Sequence, residues 1–352
     1  MRVTYFGTYE RAYPRNAQVI SCLRGAGVDV REEHVSVWDG AREGWRAGPT
    51  RALRLAAAEA RLAARRADDV DALIVGYPGH FDLPAARRAA HSRPVIFNPL
   101  VSLADTLVGD RGRFRSGTVA ARALERLDRY AFRAPDALVA DTRAHARFFT
   151  ELSGRDDVAV CFVGAEERLF KPCWRPPDRF SVLFVGKLIP LQGVETILQA
   201  ARLVPEQPFR IVGSGQLAPL LADAPANVEH VPWLDYERLP EAIGSAGCIL
   251  GIFAARPKAQ RVIPNKVFQA LACAAPVVTA DTPAVRELLA DGESALLVPP
   301  ANPPALAATI RRLATDPGLA QRIAHGGRAT YEREASESVL GRRWRGLIQG
   351  LV

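Results

Sequence analysis

Residues 261–278 read RVIPNKVFQALACAAPVV: a turn, then a helix, then a strand. Pro264 and Asn265 interrupt the chain. From Lys266 the apolar residues Val267, Ala270, Leu271 and Ala274 recur at the three-and-four spacing of one helix face. Pro276 ends that run, and the β-branched Val277, Val278 and Thr279 start a short buried strand. A helix N-terminus collects unpaired N–H groups and the positive end of the helix dipole, which makes it a ready anion site. Lys266 adds a full charge there.

Upstream, the same alternation repeats. From Phe180 the chain runs strand SVLFVG, loop KLIPLQG, helix VETILQAARLV, strand FRIVG, loop SGQ, a helix, strand NVEHVPW, a helix and strand GCILGIF. After Val298, helices are expected over 303–314 and 318–331. The N-terminal half shows a matching order: strand 2–7, helix 16–25, strand 28–35, an Ala- and Arg-rich helix 50–66, strand 72–76, and further strands at 94–97 and 137–140. Strands separated by helices predict two doubly wound parallel sheets, an α/β architecture of two Rossmann-like domains facing a cleft. The expected division is 1–172 and 173–335, with the Pro-rich residues 171–178 as hinge and a last helix, 336–352, crossing back to the first domain.

In such sheets ligands bind outside the carboxyl ends of the strands. That rule selects Thr8, Glu10 and Arg11 after the first strand, His80 and Asp82 after the third, Asn98 after strand 94–97, and Asp141 with Thr142 after strand 137–140. A His in a Gly-Pro-rich loop has no evident core to fill, so His80 is a catalytic candidate; Asp141 also reads as an ordinary helix cap. The other histidines read as bystanders. Asp69-Val70-Asp71 spells a metal-binding Asp-x-Asp, but it lies at the amino end of a strand, so no metal is expected.

Composition narrows the partners. The chain has 352 residues, 48% of them hydrophobic, and a net charge of +8. Arginine carries almost all of the positive charge, since the only lysines are Lys171, Lys187, Lys258 and Lys266. Nucleic acid, anionic lipid and an anionic substrate all suit that balance, but no nucleic-acid motif is present. The arginine-studded residues 110–133 have helical spacing and read either as a solvated helix or as a dock for anionic head groups. Five cysteines fall at no metal-ligand or redox spacing and read as reduced and buried. No signal peptide or membrane-spanning run is evident, which predicts a cytoplasmic protein with possible peripheral contact at the inner face of the membrane.

These residues carry a family resemblance. Pro-Asn-Lys-x-Phe-Gln-Ala-Leu-Ala from Pro264, the following Pro-Val-Val, and Arg-Glu-Leu-Leu-x-Asp-Gly-x-x-x-Leu-Leu-Val-Pro from Arg286 resemble the donor-binding half of glycosyltransferase family 4, retaining enzymes of the GT-B fold. Residues 182–193 resemble the family's Gly-Arg-Leu loop, 211–215 its Val-Gly-x-Gly loop, and 163–172 its interdomain segment. The resemblance implies transfer of a sugar from a nucleoside-diphosphate sugar to an acceptor hydroxyl, in cell-envelope glycan or secondary-metabolite assembly, without cofactor or metal. It places Lys187 and Lys266 on the leaving diphosphate. Gly186, Gln192, Gly193, Ser214, Gly215, Arg261, Asn265, Gln269 and Glu287 fall around the donor, with Val231 and Trp233 against its base.

Three departures from the family pattern bear on the sugar and the acceptor. The usual Glu-x7-Glu pair is Arg261 and Gln269, the lysine before the loop glycine is Gln192, and Leu100 or a neighbour replaces an N-terminal histidine. Two rival readings therefore stand beside the transferase: a nucleotide-sugar epimerase-like enzyme, and a non-catalytic nucleotide-sugar-binding partner subunit.

Overall fold

The computed structural model describes residues 1–11, 13–37, 49–67 and 69–352. They form two compact units, Met1–Val163 with Glu337–Val352, and Gly164–Ser336.

The first unit starts with β1 (Arg2–Gly7), α1 (Pro14–Gly25), β2 (Asp29–His34), α2 (Pro49–Ala63) and β3 (Ala72–Val75). It continues with α3 (Leu83–Ala90), β4 (Val95–Phe97), α4 (Val119–Arg133), β5 (Ala137–Ala140), α5 (Arg143–Ser153) and β6 (Ala159–Val160). The strands form one parallel sheet in the order β2-β1-β3-β4-β5-β6. β3, β4 and β5 are apolar and buried along their whole length, as strands covered on both faces must be. Each fully buried Val, Leu or Phe contributes about 1.5–3 kcal/mol.

The expected helix over 110–133 is shorter than its charge pattern suggested. A π-helical turn spans Asp105–Asp110, and α4 begins only after Thr118, whose side chain accepts from the Ala121 N–H as an N-cap.

The second unit contains β7 (Val182–Val185), α6 (Val194–Leu203), β8 (Phe209–Val212), β9 (Val228–Val231), α7 (Leu239–Gly244) and β10 (Cys248–Leu250). Then follow α8 (Asn265–Ala272), β11 (Val277–Ala280), β12 (Leu296–Val298), α9 (Pro303–Thr315) and α10 (Pro317–Glu334). Its parallel sheet runs β12-β11-β10-β7-β8-β9. Val182 and Phe184 of β7 pack in one cluster with Ile197 and Leu198 of α6 and Ile310 of α9.

The last helix, α11 (Glu337–Gln349), belongs to the first unit, where Trp344 is buried with the Arg15 guanidinium 5.9 Å from its ring centroid. The chain enters the second unit at Gly164, earlier than the expected boundary at residue 172. Phe170 is fully buried against Tyr236, and the Tyr331 hydroxyl donates to the Ala165 carbonyl at 3.3 Å. Residues 171–178 are thus part of the second unit, because the segment before them already packs in its core.

Candidate functional site

The strand order of the second unit reverses between β7 and β10, which opens a crevice at their carboxyl ends. Gly186 follows β7 and Gly251 follows β10. Helix α8 sends Lys266 into this point. Its ammonium donates to Gln192 Oε1 at 2.5 Å and to the Gly251 carbonyl at 3.4 Å, and lies 3.5 Å from the centroid of the Phe184 ring. Lys266 is only 6% exposed, and burial pushes its pKa well below the ordinary lysine range. Held by two carbonyl oxygens and a ring face, with no carboxylate partner among the described residues, the Lys266 ammonium would attract an entering anion, which would favour its charged form.

The neighbouring loops keep this point open at backbone level. Gly213 has φ +136°, and a Cβ there would fall 2.0 Å from the Gly186 carbonyl oxygen. A Cβ on Gly186, at φ +154°, would meet Lys266 Nζ at 2.9 Å. Ser214 and Gly215 are exposed at the end of β8, and the Ser214 carbonyl accepts from the Leu188 N–H at 3.0 Å. Lys187, beside Gly186, is exposed, whereas Lys266 is buried.

The other donor-side candidates follow the same strand ends. The Val231 carbonyl accepts from the Gly213 N–H at 2.9 Å. Trp233 is 62% exposed, its indole donating to Asp235 at 3.1 Å. Gly193 sits at the start of α6, and the Gln192 carbonyl accepts from the Phe253 N–H. Asn265 is the first residue of α8; one turn on, the Gln269 amide donates to the Tyr236 hydroxyl at 3.3 Å. Arg261 and Glu287 are half-buried on turns, at the end of residues 256–261 and in Val285–Glu287.

In the first unit the order reverses between β1 and β3. There the Thr8 amide and hydroxyl both donate to Asp82, at 2.7 and 2.8 Å. The Glu59 carboxyl of α2 lies against Asp82; burial first, and then its bond and charge contact with Asp82, push it up to about 10. No donor among the described residues reaches either Glu59 oxygen. Glu59 therefore holds its proton well above the ordinary carboxylate range. The Glu10 carbonyl accepts from the Asn16 amide at 2.9 Å, and Arg11 pairs with Glu32 at 3.2 Å on the surface.

Several acceptor-side expectations change in this setting. His80 does have a core to fill: it is fully buried, edge-on to Phe97 at 5.2 Å and near Phe132, with Nε2 3.4 Å from Asp128. Desolvation lowers its pKa despite that carboxylate. Sequence spacing could not show that β4 and α4 close over this loop. Asn98 is also fully buried, its carbonyl taken by the Arg15 guanidinium at 3.0 Å. Asp141 is not the cap of α5. Thr142 caps it, while Asp141 is hydrogen-bonded to His145 Nδ1 at 2.5 Å. Asp69 and Asp71 lie at the amino edge, bonded to Arg2.

Arg15 and Glu59 were not singled out by sequence reading. Their signal, a lone charge on an otherwise apolar helix face, is visible for Arg15 in α1 but common among surface helices.

Comparison with known proteins agrees with this geometry. Residues 179–316 match the family model described as Glycosyl transferases group 1. Over 231 residues, covering 57% of this chain and 50% of the relative, the chain is 29% identical to the D-inositol 3-phosphate glycosyltransferase of Streptomyces bingchenggensis. It spans about half the length of the curated relatives it matches. Sucrose-phosphate synthase from Thermosynechococcus elongatus superposes with a TM-score of 0.77 at 16% identity, over 99% of this chain and 98% of that one. Anabaena HepE in complex with UDP-glucose gives 0.71 at 15% identity over the whole of both chains. The fold is GT-B, and residues 179–316 resemble the group 1 glycosyltransferases in sequence.

Proposed function

We propose that this protein is a metal-independent, retaining glycosyltransferase that takes its sugar from a nucleoside-diphosphate sugar. The observation that carries the reading is the buried Lys266, with no carboxylate partner among the described residues, at the switch point of the second sheet. The bond from the anomeric carbon to the diphosphate oxygen breaks, a bond to the acceptor oxygen forms on the same face, and the acceptor proton passes to the departing diphosphate. Charge on the diphosphate grows along this path, so Lys266 and Lys187 stabilise the transition state more than the donor. Ser214 and Gly215 offer backbone N–H groups, Gln269 and Glu287 hold hydroxyls of the donor, and Trp233 lies against the base. Arg261, which donates hydrogen bonds only, selects among sugars. The acceptor, unidentified, meets the first unit near Thr8, Glu10 and Arg11. Arg126, Arg129 and Arg133 of α4, with half-exposed Tyr130, present a face suited to anionic lipid, and among the described residues no helix is long and apolar enough to cross a membrane.

The test is calorimetric titration of nucleoside diphosphates in the presence of chelator. Binding is expected, with marked weakening in Lys266→Met. Absence of binding, or binding only with a divalent ion, would overturn the reading.

A further inference from the structure

Cys173 and Cys273 lie about a hundred positions apart in the chain, yet they meet within the second unit. The amides of Cys173 and Trp174 both donate to the Cys273 carbonyl at 3.1 Å, and the Cys173 thiol donates to the Pro240 carbonyl at 3.4 Å. An amide-to-carbonyl contact makes the two residues backbone neighbours, as the two halves of a disulfide must be. The pair is held from outside as well. The Trp174 indole donates to the Ala246 carbonyl at 2.7 Å, and Gly244 faces the Cys173 sulfur with no side chain, where a Cβ would lie 3.1 Å away.

The two sulfurs differ in access. Cys173 is exposed, whereas Cys273 is fully buried at the end of α8. The neighbouring Cys273 thiol brings the Cys173 thiol down to about 7, and the same pairing raises Cys273. Arg328, whose guanidinium donates to the Ala272 carbonyl at 2.8 Å, eases ionisation of Cys273. An exposed, readily ionised thiol beside a sheltered partner is the arrangement of an attacking and a resolving cysteine.

We propose that Cys173 and Cys273 form a redox-active dithiol that closes to a disulfide on reaction with a low-molecular-weight disulfide. The Cys173 thiolate attacks one sulfur of the oxidant, forming a mixed disulfide and releasing one thiolate. Cys273 then loses its proton and attacks the Cys173 sulfur, releasing the second thiolate. The protein dithiol is oxidised by two electrons, and the small disulfide is reduced to two thiols. The bond ties the segment before Trp174 to the carboxyl end of α8, the helix whose first turn bears Lys266.

Reduced full-length protein is incubated with oxidised glutathione, alkylated, digested and mapped by mass spectrometry. A Cys173–Cys273 cross-linked peptide is expected, reversed by dithiothreitol, while Cys22, Cys161 and Cys248 stay alkylatable after unfolding. Cys273→Ser should stop at a glutathione adduct on Cys173, and Cys173→Ser, a change at an exposed position, should form neither adduct nor cross-link. A wild-type protein that stops at the Cys173 adduct, or that oxidises its other cysteines equally fast, would overturn the proposal.

Discussion

The ammonium of Lys266 on α8 is hydrogen-bonded at 2.5 Å to the side-chain carbonyl of Gln192, seventy-four positions earlier on the loop after β7. The family that the sequence resembles would place a lysine at the Gln192 position, and here a cation reaches the same loop from α8. Exchanging the two residues tests whether the charge matters more than the element that supplies it. Lys266→Gln should lower turnover by about 10²–10³. The double variant Lys266→Gln with Gln192→Lys should recover roughly tenfold or more of that loss, measured as sugar transfer or donor hydrolysis. A double variant no better than the single one would show that the position on α8 is itself required.

Burial lowers the Lys266 pKa, and an entering anion raises it again. Binding of a nucleoside diphosphate should therefore take up protons, increasingly as pH rises above the point where the free ammonium begins to lose its proton. Calorimetry in buffers of different ionisation enthalpy, well above the pKa of the terminal phosphate, measures the uptake directly. It should vanish in Lys266→Met.

Glu59 titrates near 10 in the folded protein, against about 4.3 for an unperturbed glutamate. Between these values the folded state binds the extra proton, so the stability it contributes is complete below the unfolded value and is lost as pH rises toward 10. Glu59→Gln mimics the protonated form at every pH. Its melting temperature should match wild type near pH 4 and exceed it progressively toward about pH 9. Parallel melting curves across that range would mean that Glu59 is ionised beside Asp82.

Gly213→Ala places a methyl group against the Gly186 carbonyl at a positive φ, and neither backbone can yield cheaply. A loss of about 1–3 kcal/mol in unfolding free energy is expected from denaturant titration. An unchanged midpoint would show that the two loops slide apart, and would weaken the case for a preorganised anion site.

The sequence alone determined the order of strands and helices, because parallel strands buried on both faces are short apolar runs and the helices between them carry a distinct period. β5 lies at 137–140 as its Ala-Leu-Val-Ala run predicts, and Lys266 stands in the first turn of α8 as its Pro-Asn-Lys start predicts. The sequence also gathered the donor-side loops, since strand ends on one edge of a parallel sheet converge whatever their separation in the chain. It left open which groups are shielded from water, because burial depends on what closes over a residue from elsewhere. Tertiary structure decided that His80 is walled in by Phe97 and Phe132, that Glu59 meets Asp82, and that Asn98 answers Arg15. It decided too that Lys266 is buried while Lys187 is exposed, and that the Cys173 amide meets the Cys273 carbonyl, two cysteines at no telling spacing. These pairings span about seventeen to a hundred positions and are set by packing energies that no local pattern records.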